Sequence, residues 1–307
     1  MPRIFEPATG PNGVLAQYLA KLSPDFVQLE AVRKRIWEDP EGDTYWQNRR
    51  ERVDTATEDT AKAFYEMTKQ IAEEMQAKTS GFTWATLKYN SDAVALGITL
   101  PSKNGGYRNC LTLPGEHVKF MDITMLAREF GIETVPRCHP DHSLFLAERP
   151  FVDQRFQLIF CGGAVLRGHE RADYRQNSER TRLTTSQLIL AMQRIVPGGT
   201  MVVLLRKPEN WDVLRLLHQF SSFADIQLFK PQKKHAVRST FYLVANNVQP
   251  DVESAKAALD EWKKNWSRAT FGDIGRTGEN AREVDAETVQ EIVGKFGQKL
   301  IELATPL

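Results

Sequence analysis

Apolar positions change their spacing twice along this chain. From Val14 to about Met75 they recur at helical intervals. Ser23 and Asp25 flank Pro24 at a helix start, and Phe26, Leu29, Val32 and Ile36 follow on one face. "EDPEGD", Glu38 to Asp43, breaks the pattern with Pro40 and Gly42, and a second helix from about Thr57 carries Ala61, Phe64, Met67, Ile71 and Met75 on one side. From Ala93 to Val248 short apolar runs alternate with amphipathic ones, which predicts an α/β sheet with parallel strands. After Pro250 the helical period returns, with Leu259, Trp262 and Trp266 on one stripe and Val289, Ile292, Phe296, Leu300 and Leu303 on another. "FGDIGRTGEN", Phe271 to Asn280, reads as the loop between them.

Within the alternating region the elements resolve further. "AVALGITL", "HVKFMDIT" and "FQLIFCGGAV" predict strands, the second with Asp122 at its carboxyl end and the third with Gly162 and Gly163. A helix is expected from Leu183 to Val196, stopped by Pro197-Gly198-Gly199, before the strand "TMVVLLR" and a helix from Asn210. "ADIQLFKP" and "STFYLVANNV" read as an edge hairpin joined by a short basic loop. Ligands of open parallel sheets sit beyond the carboxyl ends of the strands, so Asp122, Gly162 to Val165 and Arg206-Lys207 fall on one rim.

Composition narrows the partners. The chain has 307 residues, 41% hydrophobic and 26% charged, with a formal net charge of +1. Such a balance excludes a strongly basic nucleic-acid-binding surface and leaves only local patches. Three widely spaced cysteines, Cys110, Cys138 and Cys161, suit a reducing compartment. "MPRIFEPATGPNG" has no apolar core of a signal peptide, and no run is long enough to span a membrane. The expectation is an intracellular protein, cytoplasmic or nuclear, with no membrane partner.

Several clusters carry candidate chemistry. "CHPDH", Cys138 to His142, gathers zinc-type ligands, but no fourth ligand follows at a recognised spacing, so no metal site is expected. "RGHERADYRQNSERTR" holds Arg167, Arg171, Arg175, Arg180 and Arg182 with Tyr174 among them. It could follow an RNA backbone, or, since Glu170, Asp173 and Glu179 interleave, form a solvated helix face laced with ion pairs. The hairpin loop adds Lys230, Lys233, Lys234 and Arg238. Trp262 and Trp266 read as core or interface residues, and Cys161 as an inert buried thiol.

The succession of motifs from Leu183 to Ala245, a helix, Pro-Gly-Gly, a strand, a helix and a closing hairpin, resembles the second half of FtsJ-like methyltransferases. "ALGITLP" and "VKFMDIT" are similar to that family's second and third strands. The resemblance covers roughly residues 61–248, and the wording is most similar to fungal members with added helical ends. It implies a Rossmann-like methyltransferase sheet with a closing antiparallel hairpin, flanked by N- and C-terminal helical extensions: 1–60, a core of 61–249, and 250–307. It further implies S-adenosylmethionine as cofactor and a ribose 2′-hydroxyl of RNA as acceptor. Gly81, Phe82 and Asp122 take the cofactor positions, while Arg167, Arg171, Lys233, Lys234 and Arg238 take the substrate side.

The same resemblance identifies departures. The family's cofactor loop follows its first, central strand in a form like Leu-Asp-Leu-x-x-Ala-Pro-Gly-Gly-Phe. This chain has only Ser80-Gly81-Phe82-Thr83, without the strand, its acid or the Ala-Pro-Gly. Of the Lys-Asp-Lys-Glu tetrad, the first position carries Glu66, with Lys62 and Lys69 one turn either side. Gly162, Leu204 and Thr240 occupy the other three, with Lys207 near the third. Two expectations follow: an FtsJ-like methyltransferase with an altered site drawing on Lys62, Lys69 or Lys207, or a catalytically silent relative that binds RNA or protein. Self-association or a protein partner would use the terminal helices.

Overall fold

The computed structural model describes residues 10–38, 92–106, 117–165, 172–231, 239–272, 286–305 and 307. Two helices open this set, α1 (Gly10–Leu22) and α2 (Pro24–Glu38), and they part where the sequence predicts a helix start. The Ser23 hydroxyl caps α2 by accepting the Phe26 N–H at 3.2 Å.

The strands fall into two sheets. β1 (Gly97–Thr99) and β2 (Val118–Phe120) form a parallel pair. The larger sheet has the order β3-β4-β6-β5, from β3 (Phe156–Cys161), β4 (Ile195–Arg206), β5 (Asp225–Phe229) and β6 (Thr240–Val248). β3 runs parallel to β4, whereas β6 is antiparallel to both β4 and β5, so the expected closing hairpin forms. Among the described residues, no strand joins the two sheets.

α3 (Glu179–Met192) links β3 to β4, and α4 (Trp211–Phe220) links β4 to β5. α3 begins and ends earlier than the sequence pattern predicts, and Pro197-Gly198-Gly199 lie inside β4 instead of stopping a helix. Pairing with β3 decides this: the Arg194 carbonyl accepts the Phe156 N–H at 2.8 Å, and Ile195 pairs with Phe156 while its side chain is buried. Gly198, at φ +80°, then turns the strand through an irregular register before Met201. The strands of the small sheet are shorter than the apolar runs that announce them. "HVKFMDIT" leaves β2 after Phe120 because Asp122 folds the next residues into a 3-10 turn, Ile123–Met125.

The terminal helices belong to the central core. One hydrophobic cluster joins Leu15 and Leu19 of α1, Leu188 and Ile189 of α3, and Leu214 and Leu217 of α4. It continues through Trp262 and Trp266 of α5 (Glu253–Phe271) to Val289, Phe296 and Leu300 of α6 (Ala286–Ala304). Asn12 near the start of α1 accepts the Trp211 N–H at 2.8 Å, capping α4 from 199 residues away. The apolar stripes of α1 and α6, expected as possible partner surfaces, are therefore buried within the chain, while α2 keeps Val27 and Leu29 exposed. No described helix is long and apolar enough to cross a membrane.

Candidate functional site at the carboxyl rim

The rim beyond β2, β3 and β4 is where site residues were expected. Asp122 follows β2 and uses both carboxylate oxygens. Oδ1 accepts the Thr124 N–H at 2.9 Å and the Thr124 hydroxyl at 2.8 Å, the turn-capping role open to any strand-end acid. Oδ2 faces the Arg175 guanidinium at 3.4 Å.

Arg175 stands at the centre of a network. Besides Asp122 it meets Asp141 at 3.5 Å and Glu179 at 2.9 Å, the last one helical turn ahead. Burial opposes its charge, but the hydrogen bond and charge of Glu179, with Asp122 and Asp141, outweigh burial and hold its pKa above the ordinary arginine value. Arg182, three residues beyond Glu179, shares that carboxylate at 3.3 Å and points a second nitrogen at the Met125 sulfur, 3.5 Å away. Its side chain is 1% exposed, and burial followed by the neighbouring Arg175 pulls its pKa down. Three carboxylates thus face two guanidiniums. Neither a free basic strip nor a solvated helix face describes Arg175 and Arg182, which are drawn inward and paired.

Behind the network lies an aromatic cage. His139 is buried, with Nδ1 accepting the Asp141 N–H at 3.0 Å and Nε2 3.1 Å from the Thr270 carbonyl. Those two partners fit the ring tautomer with its proton on Nε2. Its face meets Phe145, Phe271 and Tyr174 at centroid distances of 5.1, 5.3 and 6.0 Å. Tyr174 remains exposed at its edge, and partial desolvation of the phenol, then its hydrogen bond to Asp141, pushes it up to about 12. Of the "CHPDH" segment, Cys138 and His142 are exposed while His139 is engaged by α5. Among the described residues no group of three or more His, Cys, Asp or Glu is placed to hold a metal.

Further along the rim, Gly162 is exposed with nothing within 4 Å of where a Cβ would stand. Gly163 differs. Its N–H and C=O are clasped by the Gln187 side chain at 2.7 and 3.1 Å, and a Cβ would come 2.9 Å from that amide oxygen. Cys161 beneath them is buried, its thiol pushed up to about 12 by desolvation, so it is inert at neutral pH. Leu204 is half-buried opposite Tyr242, and Thr240 pairs with Arg206 at the end of β4. Lys207 is exposed and left-handed at φ +57°, its N–H bonded to the Ser239 carbonyl at 2.9 Å. Lys62, Lys69, Gly81, Phe82, Arg167, Arg171, Lys233, Lys234 and Arg238 lie outside the described residues.

The structure thus gathers Asp122, expected at the cofactor, with Arg175, Glu179 and Arg182 of the mixed-charge segment and with Asp141. Asp141 was read only within a metal motif. The i, i+4 spacing of Arg175 and Glu179 was a signal for part of the network, but nothing local announces Asp122 and Asp141, 53 and 34 residues from Arg175. No protein-family model matches the sequence, and no curated protein matches it.

Proposed function

We propose that this chain is an FtsJ-like methyltransferase relative that uses its α/β body for binding and does not transfer methyl groups. The observation carrying the reading is the ion-pair network on Asp122. Its two oxygens are engaged by the Thr124 turn and by Arg175, which supports a structural role for it in place of the cofactor-facing role that the resemblance implies. The strand arrangement supports the same descent. Among the described residues, a parallel pair and a four-stranded sheet closed by an antiparallel hairpin are compatible with the later strands of the Rossmann-like sheet that the resemblance implies. Gly162, Leu204 and Thr240 at tetrad positions offer no general base for the ribose proton.

By the same resemblance the partner is RNA, met by the hairpin loop with Lys233, Lys234 and Arg238. Three measurements test the proposal. Calorimetry with S-adenosylmethionine is expected to give a Kd no tighter than about 1 mM, or about −4 kcal/mol. Labelled cofactor incubated with RNA is expected to leave no methyl above background; one methyl transferred per chain overturns the reading. A labelled single-stranded RNA is expected to bind with strong salt dependence and to be lost in a Lys233→Ala, Lys234→Ala, Arg238→Ala triple variant. The rival reading, methyl transfer by an unorthodox site, rests on Lys207, whose left-handed backbone presents an exposed amine on the same rim.

A further inference from the structure

We infer that α3 binds one internal water between Arg182 and Ser186, extending the rim network into the core through a neutral guest; this inference does not depend on the proposed function. Arg182 is 1% exposed and Ser186 0%, and they stand one turn apart on the same face of the helix. The Arg182 Nε–H and the Ser186 hydroxyl both lack a hydrogen-bond partner. Two neighbouring buried donors without acceptors are rare in folded proteins, and they point to a shared ligand.

Neither donor is satisfied within the chain. A serine inside a helix ordinarily turns its hydroxyl onto the carbonyl four residues back, here that of Arg182. The Ser186 hydroxyl does not make that bond, and the neighbouring Thr185 hydroxyl, whose single proton goes to the Thr181 carbonyl at 2.7 Å, lies 3.2 Å from the same oxygen. The other guanidinium nitrogens of Arg182 meet only a carboxylate at 3.3 Å and a thioether sulfur, which is a weak acceptor.

Charge selects the guest. It must accept the Nε–H, which excludes a cation. Asp122, Asp141 and Glu179 outnumber Arg175 and Arg182 in the adjoining network, so an added anion would meet excess negative charge. A water can accept from Arg182 and exchange a hydrogen bond with Ser186 at no electrostatic cost.

The test is water-oxygen magnetic relaxation dispersion, which counts long-lived internal waters, on the full chain and on Ser186→Ala. Alanine fits the serine's space, and near-ultraviolet circular dichroism verifies the fold. The expected result is a loss of one long-lived water in the variant; an unchanged count overturns the inference. A chloride titration is expected to leave both melting temperatures equal, whereas a saturable rise in the wild type alone assigns an anion and also overturns it. A high-resolution crystal structure of the wild type provides a measurement independent of the variant. Ordered density within about 3.2 Å of both atoms supports the site, and a direct bond from Arg182 Nε to a protein acceptor removes it.

Discussion

The two ends of α3 carry ionic clusters of the same residue types and opposite character. At its carboxyl end, Arg194 and Glu129 are 4% and 0% exposed and meet at 2.7 Å. Arg149 takes the second Glu129 oxygen at 3.1 Å, and the remaining Arg194 nitrogens donate to the carbonyls of Pro150 and Gln193. All of these charges have close partners. At the amino end, five charged groups meet at distances from 2.9 to 3.5 Å, and Arg182 keeps an unmatched donor. The lesson lies in saturation: the lower cluster is a closed clamp between α3 and the loops at Glu129 and Pro150, whereas the upper one is an open network on a partly exposed rim. Only the second leaves a charged side chain with an unmatched buried donor, Arg182 Nε.

The sharpest way to break the contrast is Glu129→Ala. It strands a buried guanidinium, and unfolding in urea is expected to show a loss of about 3–5 kcal/mol. A loss below about 1 kcal/mol would remove the distinction between clamp and network. Arg175→Met should cost less, about 1–3 kcal/mol, because its carboxylates retain some access to water. Part of that loss should be recovered by adding Asp122→Asn, since the double variant removes one of the uncompensated acids; additive losses would show that the two side chains do not interact. Gln187→Ala tests whether the rim can be loosened locally. Hydrogen exchange at the Gly163 amide should quicken about 5- to 10-fold, in line with about 1 kcal/mol of lost hydrogen bonding, while global stability moves by less than about 0.5 kcal/mol.

The smallest effect belongs to a control away from both ends, His218 on α4, which packs 5.4 Å from Phe296 of α6. Burial, then Lys295, lowers its pKa below the ordinary histidine value of 6.5. The unfolded chain therefore takes up the proton first, and the contribution of the neutral ring, complete at pH 7 and above, declines as pH falls below about 6.5. His218→Gln should change stability at pH 7 by less than about 0.5 kcal/mol and flatten the decline from pH 7 to 5. Parallel pH curves for variant and wild type would contradict the assignment.

Much of the fold was legible where one local rule suffices. Short apolar runs marked β3, β5 and β6, Ser23 marked the start of α2, and one-turn spacing put Trp262 and Trp266 on a single buried stripe. The reading failed at the end of α3, where a helix-stopping Pro-Gly-Gly proved to lie in a strand. Pairing of Ile195 with Phe156 and the buried Arg194–Glu129 contact outweighed a local signal that knew of neither. It also understated the terminal helices, because amphipathic stripes state that a face will be covered and not by what.

By itself, then, the sequence determined the α/β class, the closing hairpin and the buried tryptophans. Each follows from residue type and short-range spacing. The tertiary structure alone decided that Asp122 is tied to Arg175, that Arg182 is a buried cation, and that α1 and α6 close one core. Those outcomes depend on which distant groups arrive beside a charge or an apolar face. Arg175 reads as a surface arginine until Asp122 and Asp141 converge on it.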